Sequence, residues 1–432
     1  MSEENQSVMT SDNPAVLTTE ILDKNLTRET VAALGGCVRC GLCAESCHYY
    51  AAQPQLQNMP VYRGEVIRKL YRDYGKRKKG FFGKAATSKS PDEKSLDALA
   101  DMAFGTCTLC RRCTVNCPVG VDTASLMRTA RSIATAAGKT PEILVQLADS
   151  AISRGENIEL FRDMLLEQFK DLETETRNKL NDTTFSIPVG KKGADILFAG
   201  LSGEHSIVPP AILFHYARAN WTLSLFEASN YGTFIGDAER SKKITQRIID
   251  EARDIGVKEV VIGECGHAYT VLRWEAPKWF KEALPFRVRS LIEVLAEWVQ
   301  EDRLALNPDA NPEPVTYHDS CNLGRNGGLL EEPRIVLRAA VKDFRELHPN
   351  REESYCCGGG SGMVAVSEWD ERRLQAGLPK ARQIKATDSK IVVASCDNCR
   401  IQLSELNERY GLDIKVTGLA DIVVNAVVNK PS

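Results

Sequence analysis

Cysteines are the residues of this 432-residue chain that are most able to do chemistry, and there are 14 of them. Thiolates bind soft metal ions and iron-sulfur clusters, and they form disulfides where the surroundings are oxidising. The N-terminus, MSEENQSVMT, lacks the basic and apolar regions of a signal peptide, so we expect a cytoplasmic chain whose thiols stay reduced. The pattern therefore favours metal or redox chemistry over a disulfide framework.

Two runs near the N-terminus share the spacing C-x2-C-x2-C-x3-C, namely CVRCGLCAESC at 37–47 and CTLCRRCTVNC at 107–117. In such runs three thiolates bind one cluster and the fourth binds the neighbouring cluster. We therefore predict two cubane [4Fe-4S] clusters with crossed ligation. One is held by Cys37, Cys40, Cys43 and Cys117, and the other by Cys107, Cys110, Cys113 and Cys47.

Zinc is the alternative for these two runs. It prefers separated CxxC pairs around one ion, rather than four thiols within eleven residues, so it is the weaker interpretation. The first run also departs from the usual pattern, because His48 follows Cys47 where a proline is expected. The sequence alone assigns His48 no ligand role.

Five more thiols lie in the C-terminal part of the chain, at Cys321, Cys356, Cys357, Cys396 and Cys399. The adjacent pair is followed by three glycines, which lack a Cβ atom and can take positive φ, so the backbone can approach a cluster closely. Two alternatives stay open. The pair could pack as small buried hydrophobic residues, or four of the five thiols could hold an ordinary cubane.

The secondary structure predicted around these thiols is helical at first and becomes alternating strand and helix later in the chain. Apolar residues recur at helical spacing between 124 and 181, which predicts a helical connector. After Gly190, strand-like apolar runs alternate with amphipathic helices, which predicts an α/β arrangement with its site at the strand ends. The predicted fold class is therefore α+β and multidomain.

The C-terminal pattern also repeats. The stretch VVIGECGHA (260–268) aligns with IVVASCDNC (391–399), and the first stretch keeps one cysteine, Cys265, where the second has two. We predict a duplicated domain with one depleted half. The predicted regions are a flexible tail (1–20), a helical ferredoxin domain (21–135), a helical connector (136–190) and a cysteine-rich domain (191–432), which divides into a vestigial half (191–310) and a cluster-binding half (311–432).

Composition excludes several classes of function. The net charge of −3, with acids and bases interspersed, gives no reason to expect nucleic acid as a partner. No G-x-G-x-x-G follows a strand-like run, so we expect no flavin or nicotinamide in this chain. No apolar run is long enough to cross a bilayer, so any membrane attachment is expected to be peripheral, through partner subunits.

The five-cysteine pattern resembles the CCG signature of the heterodisulfide reductase family. Together with the two ferredoxin runs it resembles the HdrD type of that family, and most of all the DsrK type of the sulfite-reductase-linked membrane complex DsrMKJOP, with TmcB and HmeD types also similar. The resemblance implies one noncubane [4Fe-4S] cluster, at which disulfide-type substrates react. Its ligands would be Cys321, Cys356, Cys357, Cys396 and Cys399.

The resemblance also implies a function. The chain would be a catalytic iron-sulfur subunit on the cytoplasmic side of a membrane complex with further redox subunits. It would pass electrons from a DsrM-like subunit, which carries haem b and reacts with quinones, to the noncubane cluster. There a disulfide or trisulfide of the sulfur carrier DsrC would be reduced or formed, in dissimilatory sulfur metabolism.

Cys265 and His267 are the further catalytic candidates, because they lie in the depleted half at the position that matches the cluster loop. Cys265 could be a mixed-disulfide partner or an extra ligand, and His267 could donate protons to departing thiolates. The alternative is an inert thiol and a structural histidine.

Rival functions remain at this point. One is a pure electron relay, as in the iron-sulfur subunits of flavin-dependent glycolate, lactate or glycerol-3-phosphate dehydrogenases. Another is a methanogen-type heterodisulfide reductase subunit. A scaffold that uses clusters mainly for folding is less favoured, because three clusters exceed what folding needs.

Overall fold

The computed structural model describes residues 20–21, 24, 27–75, 91–280 and 283–428. This part of the chain is mixed α/β, with helices before residue 181 and two parallel sheets after it. Most of the predicted tail, residues 1–19, lies outside the described residues. Among the residues that are described, no helix combines the length and the apolar character needed to cross a bilayer.

The N-terminal part is helical, and three of its helices start at polar caps. The side chains of Thr27, Asp92 and Asp122 each accept a hydrogen bond from the backbone N–H three residues further on. A 3₁₀ turn at Leu56–Asn58 and a π turn at Tyr71–Gly75 flank one helix. The helices are α1 (Arg28–Gly36), α2 (His48–Ala52), α3 (Pro60–Leu70), α4 (Glu93–Gly105), α5 (Arg112–Val115), α6 (Thr123–Ala136), α7 (Glu142–Glu156) and α8 (Ile158–Leu180).

The first sheet has the parallel order β2-β1-β3-β4. Parallel strands need crossover connections, and helices supply them here. The elements are β1 (Ile196–Ala199), α9 (Glu204–Tyr216), β2 (Trp221–Leu223), α10 (Tyr231–Ile235), α11 (Ala238–Ile255), β3 (Glu259–Ile262), α12 (Gly266–Thr270), a π turn (Val271–Glu275), α13 (Ala276–Trp279), β4 (Arg287–Ser290) and α14 (Leu291–Gln300).

The strand order of the second sheet is β6-β5-β7-β8. It is the same as that of the first sheet, with four added to each strand number. All of its pairings are parallel as well. Its elements are β5 (Val315–Tyr317), α15 (Glu332–Ala340), β6 (Phe344–Arg345), α16 (Asp370–Ala376), α17 (Leu378–Thr387), β7 (Ile391–Val393), α18 (Asp397–Tyr410), β8 (Lys415–Thr417) and α19 (Leu419–Ala426), with 3₁₀ turns at Pro308–Ala310, Arg351–Glu353, Met363–Ala365 and Ser367–Trp369.

Two large hydrophobic cores and one small cluster, which contains Cys47, Tyr49, Met363 and Ala376, hold these layers together in the described part of the chain. One runs through both sheets, from Phe169 to Val427. The other lies among the N-terminal helices, and Ile235 and Val366 from the C-terminal part belong to it. Arg131, fully buried on α6, donates from Nη1 to the carbonyl oxygens of Phe234 at 2.6 Å and Ser361 at 3.0 Å. The helices that carry the ferredoxin runs therefore pack directly on the cysteine-rich part.

Candidate metal centre

The first group of sulfurs lies in the loop between α1 and α2. Positive φ angles of 59° at Arg39 and 83° at Gly41 curl this loop. Burial raises the pKa of Cys43, and the nearby sulfurs of Cys37, Cys117 and Cys40 raise it further. One small cavity is lined by Cys37, Cys40, Cys43 and Cys117, and Cys113 also borders it.

The second group uses the same loop geometry. Leu109 and Arg111 have φ angles of 55° and 62°, at the positions that match Arg39 and Gly41 in the first run. Burial raises the pKa of the Cys113 thiol, and the sulfurs of Cys110, Cys47 and Cys107 raise it further. These four cysteines line a second small cavity. The structure therefore brings Cys47 to the second run and Cys117 to the first, which is the grouping that crossed ligation requires.

The C-terminal thiols form a third group, and all five are buried. Cys321 follows β5, Cys356 and Cys357 precede α16, and Cys396 caps α18. The Sγ atoms of Cys357 and Cys399 are 3.4 Å apart. The thiols of Cys321 and Cys356 lie close enough to shift each other's pKa, and so do the thiols of Cys396 and Cys399. The five sulfurs thus form one continuous group, with none left aside.

Two of the three glycines after Cys357 are required by this packing. Gly358 has φ of +102°, and a Cβ atom there would be 2.9 Å from the Arg373 carbonyl oxygen. A Cβ atom on Gly359 would be 2.7 Å from the Cβ atom of Gln402. Gly360 has no positive φ, and its nearest contact would be 3.8 Å. Protein packing therefore does not require a glycine at 360, and the predicted close approach of all three glycines to a cluster stays a prediction.

The sulfur groups have the chemistry that an iron-sulfur cluster needs. The neighbouring thiols of Cys110 and Cys321 lower the pKa of Cys356 to about 6, which favours its thiolate form. Backbone N–H groups of Gly358 and Gly359 point at the sulfurs of Cys356 and Cys357, each at 3.4 Å. Thiolate donors of this kind suit iron-sulfur clusters, and the residues present fit that cofactor.

The second and third sulfur groups are in contact. The sulfurs of Cys110 and Cys356 lie within 4.8 Å of each other, and the Thr108 hydroxyl is 3.4 Å from the Cys356 sulfur. On the other side, Arg325 donates from Nη1 to the carbonyl oxygen of Cys110 at 2.8 Å. The N-terminal sulfurs therefore lead directly to the five-thiol group, a relation that thiol spacing along the chain does not reveal.

Cys265 lies beside the five-thiol group. It is half-buried, caps α12, and accepts from the Ala268 N–H at 3.5 Å. Burial, and next the neighbouring Cys396, raise its pKa to about 12. The Asp397 N–H donates to the Glu264 carbonyl at 3.1 Å, which joins the two strand-end loops. The structure thus brings Cys265 to the site, and its role stays a prediction.

His267 is buried behind this loop. Its Nε2 is 2.9 Å from Nδ2 of Asn322 and 3.1 Å from the Ser361 hydroxyl. Burial, and then the cationic Arg131 and Arg128, lower its pKa to about 3. These contacts join His267 to two loops of the site, and its predicted role as a proton donor stays a prediction.

Several buried polar residues at the site were not predicted. Arg63 donates to the Cys47 sulfur at 3.0 Å and to the Thr106 carbonyl at 2.6 Å. Lys380 donates to the Ser354 hydroxyl at 3.0 Å, and burial lowers its pKa to about 8. On their helices these cations look like ordinary surface charges. By contrast, the sequence did give a signal for His48, because it stands where a proline is expected.

Two family matches agree with the two kinds of sulfur group. Residues 33–121 match the 4Fe-4S dicluster domain, and residues 315–404 match the cysteine-rich domain of the CCG type. These ranges contain the eight ferredoxin cysteines and all five C-terminal thiols. The chain is therefore an iron-sulfur protein that contains both domains.

Known proteins align with most of this chain. The chain is 29% identical to the Hdr-like menaquinol oxidoreductase iron-sulfur subunit 2 of Archaeoglobus fulgidus, over 91% of this chain and 79% of the relative. It is 24% identical to the HdrD component of the dihydromethanophenazine:CoB–CoM heterodisulfide reductase of Methanosarcina mazei, over 95% and 98%. It is 25% identical to the EtfAB:quinone oxidoreductase of Syntrophomonas wolfei, over 86% and 55%. The finer resemblance to the DsrK type stays a prediction. The predicted resemblance to the HdrD type is confirmed: the chain is an HdrD-like protein with a CCG domain.

Proposed function

We propose that this chain is the catalytic iron-sulfur subunit of a membrane-associated redox complex that reduces or forms a sulfur–sulfur bond. The observation that carries the proposal is the contact between Cys110 and Cys356, because it joins the ferredoxin sulfurs to the five-thiol group. The names of the relatives from A. fulgidus and M. mazei describe a quinol-linked and a heterodisulfide-linked oxidoreductase, which supports the same kind of chemistry.

The proposed cofactors are two cubane [4Fe-4S] clusters and one noncubane [4Fe-4S] cluster. The cubanes would use the crossed ligand sets, and the five C-terminal thiols would hold the third cluster. We also infer that residues 191–310 and 311–432 are two copies of one ancestral unit, since both sheets have the same strand order. The first copy would keep Cys265 and would have lost its own cluster.

The chemistry divides between cofactors and protein. Bound clusters supply one-electron transfers, whereas opening a disulfide takes two electrons and two protons and gives two thiols. The protein would bury the sulfurs, hold their thiolates with backbone N–H groups, and offset their negative charge with Arg63 and Lys380. Cys265 would face the incoming sulfur compound beside Cys396, and His267 would position the loops through Asn322 and Ser361.

The proposed partners follow from this chemistry. A haem b subunit of the DsrM type that reacts with quinones would exchange electrons with the ferredoxin domain, on the cytoplasmic face of the membrane. A small sulfur carrier of the DsrC type would present the disulfide or trisulfide, as part of dissimilatory sulfur metabolism. The quinol-linked name of the A. fulgidus relative supports the first partner.

A second candidate function is an electron relay without bond-making, attached to a flavoprotein. Two observations favour it: the five C-terminal thiols are all buried, and the chain resembles the EtfAB:quinone oxidoreductase of S. wolfei. In that case Cys265 would be structural. The two candidates differ in whether a thiol compound reaches the five-thiol group.

Low-temperature EPR of the purified protein, titrated with small thiols and with a DsrC-type carrier, distinguishes the catalytic function from the electron relay. The proposal predicts a thiol-dependent paramagnetic signal that disappears in Cys356→Ser while the ferredoxin signals remain. Cys265→Ser, with all clusters intact, is expected to lower turnover of the sulfur substrate. No thiol-dependent signal, together with co-purification of a flavoprotein, would establish the relay function instead.

A further inference from the structure

His48 stands at the first position of α2, directly after a predicted cluster ligand. Proline suits this position of a helix, since its φ is already helical and the N–H it lacks needs no partner there. Here Cys47 has the extended conformation (φ −88°, ψ 123°) that a residue before proline adopts. The backbone would therefore accept proline, so the histidine is not required by the local fold.

The side chain of His48 points to the junction between the second and third sulfur groups. It is 2% exposed, and one of its ring nitrogens lies within 4.8 Å of the sulfurs of both Cys110 and Cys356, which are themselves that close to each other. No cysteine spacing in either motif predicts a histidine between two cluster sites.

Two donors at this junction have no hydrogen-bond partner within the described residues. They are Nε2 of His48 and the hydroxyl of Tyr49, which is 3% exposed. Tyr49 and His48 both line the small cavity of the second sulfur group, and Tyr49 also packs against Cys47. A buried donor without a partner costs about 1–3 kcal/mol, so two neighbouring ones indicate that a bound group completes the site.

We propose that His48 and Tyr49 form a pair of hydrogen-bond donors for the sulfur atoms at the junction of the second ferredoxin cluster and the CCG cluster. They are positioning residues, and they set the reduction potential there. The inference rests on the proposed function, because it requires clusters on both sides of the junction.

The direction of the effect follows from charge. Reduction adds an electron to a cluster, and hydrogen bonds to its sulfurs stabilise the more negative reduced state. Removal of a donor therefore lowers the reduction potential. Loss of one such bond is expected to change the ratio of reduced to oxidised cluster about tenfold at a fixed potential, or about 59 mV for a one-electron couple.

Redox-titrated EPR of the purified holoprotein tests this pair with matched variants. Tyr49→Phe removes one hydroxyl and keeps the ring. His48→Pro removes the imidazole where the backbone accepts proline, and His48→Gln keeps an N–H group at a similar reach. Tyr50→Phe, at the next position of α2, is the control. Iron content and thermal stability are measured for each protein.

The expected result is a lower potential at the junction clusters in Tyr49→Phe and in His48→Pro, partial recovery in His48→Gln, and the wild-type potential in Tyr50→Phe. Wild-type potentials in both Tyr49→Phe and His48→Pro, at full iron content, would overturn the inference and leave the proposed function intact. Loss of one cluster's iron in His48→Pro would overturn it too, by making His48 a ligand. A wild-type protein without clusters would refute the proposed function itself.

Discussion

Arg325 donates from Nη1 to the carbonyl oxygen of Cys110 at 2.8 Å, and this bond joins the loop after Cys321 to the second ferredoxin loop. The same guanidinium donates to the carbonyl oxygens of Glu352, at 2.6 Å from Nε, and of Ser354. One side chain therefore holds two backbone segments, at 110 and at 352–354, against its own loop near the contact between two sulfur groups. The position of Cys110 against Cys356 depends on it.

Replacement of Arg325 by methionine is expected to loosen this junction. A hydrogen bond from a charged group contributes about 1.5–3 kcal/mol, so the free energy of unfolding should fall by at least about 2 kcal/mol. The measurement is chemical denaturation of the holoprotein. Arg338→Met, on the exposed side of α15, is the matched control and should stay within about 0.5 kcal/mol of wild type. Equal stability of the two variants would contradict the role given to Arg325.

Crossed ligation predicts that Cys47 and Cys117 each bind the cluster of the other ferredoxin run. Cys117→Ser is expected to reduce the iron content and EPR signal of the cluster at Cys37, Cys40 and Cys43, because its sulfur lies in that cavity. Cys47→Ser should affect the cluster of the second run. Mössbauer and EPR spectra of the two proteins distinguish the sites. If each serine perturbs the cluster of its own run, the crossed arrangement is wrong.

Gly358 and Gly360 lie in one loop but differ in how much space a side chain would have. Gly358→Ala is expected to destabilise the protein by more than about 2 kcal/mol and to deplete iron from the five-thiol group, because of its positive φ and the close Arg373 carbonyl. Gly360→Ala should keep iron and stability near wild type, since its nearest contact is 3.8 Å. Iron analysis and thermal unfolding provide the check, and equal losses in both proteins would argue against this account of the loop.

Glu251 predicts a pH dependence of stability. Burial raises the pKa of this carboxyl to about 7 from its usual 4.5, although Ser224 and the Leu225 N–H, at 2.9 Å, hydrogen-bond it. The folded state holds the proton more tightly than the unfolded state. The stability that this proton supplies is therefore complete below pH 4.5 and is lost as the pH rises through 7.

Glu251→Gln should remove that loss. Above pH 8 the variant is expected to be more stable than wild type by up to about 3 kcal/mol, and below pH 4.5 the two should converge. Denaturation at a series of pH values measures the difference. Glu239→Gln, exposed on the same helix, should follow the wild-type curve. A Glu251→Gln curve parallel to wild type at all pH values would show that this carboxyl titrates normally.

The sequence alone determined which cysteines act in groups and which kind of fold surrounds the C-terminal five. Three thiols within seven residues must share one loop, so their grouping is a local property of the chain. The alternation of apolar strand-like runs with amphipathic helices likewise indicated parallel sheets, and the structure has two. The same local information predicted Cys265 as the counterpart of Cys396.

Only the tertiary structure decided which groups touch. The contact of Cys110 with Cys356 depends on how the ferredoxin helices pack on the second sheet, and residues far apart in the chain determine that packing, such as Arg131 with Ser361 and Arg325 with Cys110. Burial also decided the chemistry of single groups: it lowers the pKa of His267, and it leaves His48 Nε2 and the Tyr49 hydroxyl without partners in the described protein. Sequence spacing cannot report desolvation, because desolvation depends on every element that packs around a side chain.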